Sequence, residues 1–534
     1  MTSREPDRER PESEGALSLR RELAAGRGRA RLDLLLGAPE SVPDLPADEL
    51  FHAVVEVGLA DAQAVVQLAS PSQFRTFLDL AGWLGDAFVP ARVLPWLRAA
   101  RPPTLSGEEA ERRYTDKVAA LDPEVLSLVL RGVLLIHDLE EEPDPEPETE
   151  RFARTPEGRF LVEFLPEGDD GQVARRLVDD LYAKEPFEAG RILSAVRYEL
   201  VSDLTEEALR LRAGRLADLG YPSLEEALSW FARPASRRAQ QPAGLPDRPP
   251  GFWLAAHRGD TLLDRAAARL APAARDRFEL EAMAAANAVL VADRVDPSDS
   301  DDVRGALESA RTLLEMGLEA SSGGDEAAAS RVLSSAPLKR VFQAGFGKLL
   351  ELRFQAERLA REAGPRPFAL DSPLGEALAA VRLRRPRYYP GVAAPRPEWG
   401  SAATGALLPR PFRSSAEVEE VKGALEEAKA LFALASELGL AVASPGPATL
   451  AALYLTALAN ERLGRAFAPS PIPSAELLEA ARALSSLDDP RLAAGGAAGS
   501  LLATLARNRA AELAPLLAGE AAAPGTVTAL LVLP

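Results

Sequence analysis

The sequence predicts a mainly α chain, multi-domain and built from helical hairpins in a repeat-like bundle, with at most a short β-hairpin near 152–165. Three observations carry this reading. Alanine, leucine, arginine and glutamate, all good helix formers, dominate the 534 residues. Capping signals recur where apolar spacing of helical period begins. Strand signals are sparse. A hydrophobic fraction of 47% is enough to bury real cores, and at roughly 150 residues per domain the length suggests about three to four units.

Residues 1–14 alternate charges without an apolar core, and 1–28 read as a disordered tail. A signal peptide needs an apolar stretch of roughly 7–15 residues, so a cytoplasmic location is expected. Residues 29–139 form an N-terminal helical domain. There Leu45-Pro46 leads into 48–57, 61–68 follows, and Ser70-Pro71 leads into 73–80, a restart pattern like that of stacked helical hairpins but without a strict period. Residues 140–150 hold seven acids, three prolines and no base; such a stretch self-repels and is expected to link two domains.

In the second helical region, 151–231, Thr155-Pro-Glu-Gly158 reads as a turn into a strand over 159–165. Asp203 and Glu206 open a helix that runs through Leu209, Leu211 and Leu216 to Gly220, and Ser223 with Glu226 opens another, stopped at Pro234. Residues 232–251 are a proline- and arginine-rich linker, and 252–383 a central helical region broken by a short loop at 321–325. A second proline- and arginine-rich stretch, 384–413, is expected to be a surface connection. In the C-terminal helical region, 414–534, Ser414 and Glu417 open a helix whose apolar side carries Val418, Val421, Leu425, Leu431, Phe432, Leu434 and Leu438 before a stop at Gly439. The uncharged run from Leu438 to Asn460 is cut by Ser444-Pro445-Gly446-Pro447, so it reads as core rather than a membrane span. Residues 526–533 are a further strand candidate.

Composition removes several chemistries. Zero cysteines exclude disulfides, thiol nucleophiles and cysteine-ligated metals, and a net charge of −18 disfavours general nucleic-acid binding. Phe342-Gln-Ala-Gly-Phe-Gly-Lys348 has phenylalanine where a phosphate loop needs its first glycine, and Leu349 where it needs Ser or Thr. Glu49, His52 and Glu56 share helical spacing, yet a di-iron bundle needs a second Glu-x-x-His pair that His137 and His257 do not supply. The sequence therefore assigns no catalytic residue, no metal and no cofactor.

One charge feature stands apart. Residues 339–413 carry fourteen bases against six acids, near +8, which leaves the remainder near −26. Within it Arg382, Arg384, Arg385 and Arg387 adjoin Tyr388 and Tyr389; guanidinium forks bind carboxylate or phosphate, and tyrosine faces stack on bases. The competing reading lays this segment on the protein's own acidic surface, such as 140–150. Arg210, Arg212 and Arg215 are secondary anion-binding candidates.

Residues 198–222, with their Gly-Arg-Leu-x-Asp-Leu-Gly run, Ser335-Ala-Pro-Leu-Lys-Arg-Val-Phe-Gln-Ala-Gly-Phe346 and Arg410-Pro-Phe412 resemble an uncharacterised family of large, mostly helical bacterial proteins, a domain of unknown function. The resemblance covers about 30–440 and implies a bacterial helical protein with no catalytic residues to carry over. At fold level the N-terminal third also resembles the regulatory helical domain of bacterial magnesium transporters. The expected role is a non-catalytic scaffold or protein-interaction module whose partner is another protein. The alternatives are an anionic-ligand or nucleic-acid binder, or an enzyme using carboxylate and arginine chemistry.

Overall fold

A computed structural model describes residues 28–102, 107–232, 260–363, 369–440, 448–519 and 529–533, with Leu19, Glu22, Leu23 and Gly26 before them. Most of the expected tail, and the 232–251 linker with Pro234 beyond Ala232, lie outside the described residues. The structure is 69% helical, which makes the fold mainly α as the composition implied. The chain divides into two units: Met1–Leu314 with Leu318–Gln343, and Glu315–Gly317 with Ala344–Pro534.

The first unit opens with α1 Arg29–Gly37, α2 Ala47–Val57, α3 Gln63–Leu68 and α4 Pro71–Ala81, the short restarting helices read from the sequence. Ser70 caps α4 by accepting from the Gln73 amide while the Gln73 side chain accepts from the Ser70 amide. A two-residue hairpin, β1 Trp83–Leu84 with β2 Ala87–Phe88, leads to α5 Pro90–Ala100, α6 Glu108–Ala119 and α7 Pro123–Arg131. Apolar faces of α2, α4 and α5 meet in an aromatic core where Phe51 stacks on Trp96 at 5.2 Å between ring centres and Phe77 lies 5.4 Å from Trp96. Such pairs add roughly 0.5–1.5 kcal/mol each beyond the area they bury.

The hairpin expected near 152–165 is present as β4 Phe152–Arg154 against β5 Phe160–Phe164, and it is joined by β3 Leu134–Asp138 in the antiparallel order β3-β5-β4. Residues 140–150 thus run from β3 to β4 within one sheet. Their ends are tied: the amides of Glu141 and Glu142 donate to the Asp138 carbonyl, and the Thr149 amide donates to Glu163 Oε2 at 3.0 Å.

After the sheet come α8 Gly168–Lys184, α9 Pro186–Tyr198, α10 Val201–Asp218 and α11 Leu224–Trp230. The start of α10 lies two residues before Asp203, with Leu200 at the cap position. Its end is as expected: Gly220 takes φ +84°, and the Tyr221 amide donates to the Leu216 carbonyl. The unit continues through α12 Leu262–Ala268, α13 Pro272–Asp293, α14 Ser300–Ser322 and α15 Glu326–Ser335, and the division falls inside α16 Leu338–Ala363. The glycine–lysine stretch at 342–348 lies inside α16, which is a helix and not a loop.

The second unit is built around a helix buried on every side. After α17 Leu374–Arg382, α18 Ala402–Gly405 and α19 Ser415–Glu437, the chain forms α20 Leu450–Arg462, in which every residue from Leu450 to Asn460 is buried. A helix apolar all round is a core helix, which is what residues 450–460 of that uncharged run form. Among the described residues no helix is long and apolar enough to cross a membrane. Two further helices, α21 Leu477–Ala483 and α23 Gly496–Ala510, pack beside α20, α22 Pro490–Ala494 packs on α23, and β6 Ile472–Pro473 pairs in parallel with β7 Val532–Leu533.

The contact of α22 with α23 admits no side chain at Gly499: a Cβ there would lie 1.9 Å from the Leu492 carbonyl oxygen and 2.9 Å from its carbon. Backbone cannot yield as a flexible side chain does. Gly499→Ala is therefore expected to cost roughly 1–3 kcal/mol and to speed hydrogen exchange across α20 by roughly tenfold. Exchange unchanged from wild type would refute this packing.

Candidate functional site

The arginine turn follows from how α17 ends. Arg382 occupies its last turn, where a cation meets the negative end of the helix dipole. The Arg387 amide donates to the Ala380 carbonyl at 3.1 Å, and Arg353 Nη1 to the Arg384 carbonyl at 3.3 Å, so the turn is held from two sides. Pro386 is buried beneath it, Arg382 and Arg384 are exposed, and Arg385 and Arg387 are half-buried. Among the described residues the guanidinium groups of Arg382, Arg384 and Arg387 enter no ion pair or hydrogen bond. Burial, then repulsion from Arg387, pushes Arg385 down to about 10. Like charges are therefore crowded on a fixed backbone, an arrangement that an anion relieves.

The adjoining tyrosines take a different part from the one expected. Tyr388 and Tyr389 are almost fully buried, so neither offers a face to a base. Tyr388 Oη donates to Glu420 Oε2 at 2.6 Å, its backbone bridges to that of Arg410, and the Arg410 guanidinium covers its ring at 4.5 Å while pairing with Glu417 at 2.7 Å. Tyr389 Oη donates to the Thr404 carbonyl at 2.5 Å. Together with buried Trp399 and Phe412 these rings anchor 384–413 as packed structure. The composition of that stretch suggests a surface strap; four large rings at scattered positions carry no periodic signal.

Arg210, Arg212 and Arg215 belong to the first unit and lie on α10. Arg210 pairs on the surface with Glu207, three residues away. Arg212 lies over the Trp83 ring at 5.2 Å and donates from Nε to the Asp79 carbonyl at 2.7 Å. Arg215 forks onto Asp79 at 2.6 and 2.8 Å and reaches Asp122 at 2.7 Å, although Asp218 stands three residues on along the same helix. Burial works against the Arg215 charge, but Asp79 and Asp122 hold its guanidinium above the ordinary range. Two of these three candidates are thus consumed by the fold.

Sequence reasoning missed the most buried acid of the second unit. Asp371 Oδ2 accepts from the Ala451 amide at 2.9 Å in the first turn of α20, and Arg509 Nε lies 3.9 Å from Oδ1. Burial pushes its carboxyl above the ordinary range. Its partners lie some 80 and 140 residues away in the chain, so no local pattern marks it. Among the described residues no group of three or more acids and histidines is placed to hold a metal ion.

A model for a family of unknown function (DUF6178) matches residues 12–523, a longer span than the 30–440 that the resemblance covered. No curated protein and no solved structure matches the chain.

Proposed function

We propose that this chain, which belongs to the family of unknown function DUF6178, is a non-catalytic helical binding module that holds an acidic segment of another protein on the 382–387 turn. The observation that supports this is the turn itself: four guanidinium groups within six residues on a braced backbone, three of them in no ion pair among the described residues. Exposed Leu383 lies among them and offers apolar contact beside the charges. Structural roles account for Arg212 and Arg215, Arg210 is paired with Glu207 on the surface, and the buried Asp371 accepts from the first turn of α20. The proposal includes the bacterial, cytoplasmic setting expected from the sequence, to be checked by fractionating the tagged protein in its native cell.

The test uses a labelled polyglutamate peptide as probe. Replacing Arg382, Arg384 and Arg387 with serine is expected to weaken binding about tenfold or more, at roughly 0.2–1 kcal/mol per exposed pair, and to flatten its salt dependence. Equal affinity and salt slope for variant and wild type would remove the turn from the reading. Tighter binding of an oligonucleotide than of polyglutamate would favour a nucleic-acid ligand.

A further inference from the structure

The occupant of the arginine turn can be named more closely. We propose that it is the acidic 140–150 loop of a second copy of this chain, so that the protein self-associates through loop-to-turn contacts. This rests on the reading of 382–387 as a seat for an acidic protein segment.

All seven acids of the loop are exposed: Glu140, Glu141, Glu142, Asp144, Glu146, Glu148 and Glu150. Glu141 and Glu142 lean towards Arg197 and His137, at 4.0 and 3.9 Å, but among the described residues Asp144, Glu146, Glu148 and Glu150 form no ion pair. Four uncommitted carboxylates are thus set against the guanidinium groups of Arg382, Arg384 and Arg387, which carry the opposite sign and enter no ion pair among the described residues.

Shape and entropy agree with the charge. Pro143, Pro145 and Pro147 alternate with acids, so φ is fixed at every second residue and the strand of charges is stiff before it binds. Its ends are held by the sheet: the Glu140 amide donates to Asp138 Oδ1 at 2.9 Å, and the Thr149 amide to Glu163. The turn is braced at Ala380 and by Arg353. Two pre-ordered surfaces lose little freedom when they meet. Exposed ion pairs are individually weak, but several made together along one pre-ordered loop reinforce one another.

Sedimentation of the full-length chain over a range of concentration tests this. Wild type should associate at low ionic strength and dissociate as salt rises. A variant with Arg382, Arg384 and Arg387 changed to glutamate, and another with Asp144, Glu146 and Glu148 changed to lysine, should each lose association by about tenfold or more. Mixed together, the two variants should associate again, because each then supplies the surface the other needs. A wild type that stays monomeric, association that both variants keep, or a mixture that fails to associate would each overturn the proposal. Polyglutamate separates the two claims. If it still binds the turn of a monomeric wild type, the seat stands and the second copy falls; if its binding ignores the arginine changes, the seat falls as well.

Discussion

Replacing Arg215 with methionine is expected to destabilise the first unit by roughly 3–5 kcal/mol, whereas the same change at Arg210, five residues earlier on the same helix, should stay within about 0.5 kcal/mol. The difference lies in what each leaves behind. Arg210 and Glu207 are both in water, and losing one frees the other to be solvated. The Asp79 side chain is 3% exposed and that of Asp122 14%, and Arg215 lies between them. Without it, two carboxylates remain side by side out of water, and burial, which already pushes Asp79 up, acts on it unopposed by the Arg215 fork.

Urea unfolding followed by hydrogen exchange in α4 and α10 reads this for the unit directly, since the chain has two units and a single global midpoint would mix them. The double variant Asp79→Asn with Arg215→Met should recover part of the loss, because the uncompensated charge is gone. If Arg215→Met costs no more than Arg210→Met, the buried pairing is not what holds α10 to α4.

Periodicity and caps are local, and what they encode was legible. Ser414 accepts from the Glu417 amide and Ser223 from the Glu226 amide, as their spacing predicts, and both open helices. The restarting short helices of the first hundred residues follow their prolines and acids for the same reason. Charge partners are not local. Arg215 has Asp218 at helical spacing, but the fold brings Asp79 from 136 residues away, and a buried bidentate pair outweighs a surface one. The same holds for the candidate site. Its arginines are adjacent in the chain and stand out there as a charge cluster; the burial of Tyr388 and Tyr389 depends on Glu420 and Thr404, which share no motif with them.

Lowering the pH from 6.5 to 4 is expected to remove roughly 3 kcal/mol from the first unit through His52 alone. The sequence places His52 at helical spacing from Glu49 and Glu56; the structure buries it in α2, with the Phe51 ring at its edge 5.4 Å away. Burial lowers its pKa from 6.5 to about 4, against the pull of the Asp48 carboxylate. Between these values the unfolded chain takes up a proton that the folded chain refuses. Stability is therefore complete above pH 6.5 and falls as pH drops towards 4. With only three histidines in the chain, carbon-labelled imidazole signals can be followed one by one, and the signal missing from His52→Phe should titrate near 4 in wild type. The same variant should flatten the stability profile over this window while leaving the carboxylate-driven loss at lower pH in place. A His52 signal that titrates near 6.5 would mean that α2 opens to water, and the aromatic packing of Phe51 on Trp96 would have to be reconsidered with it.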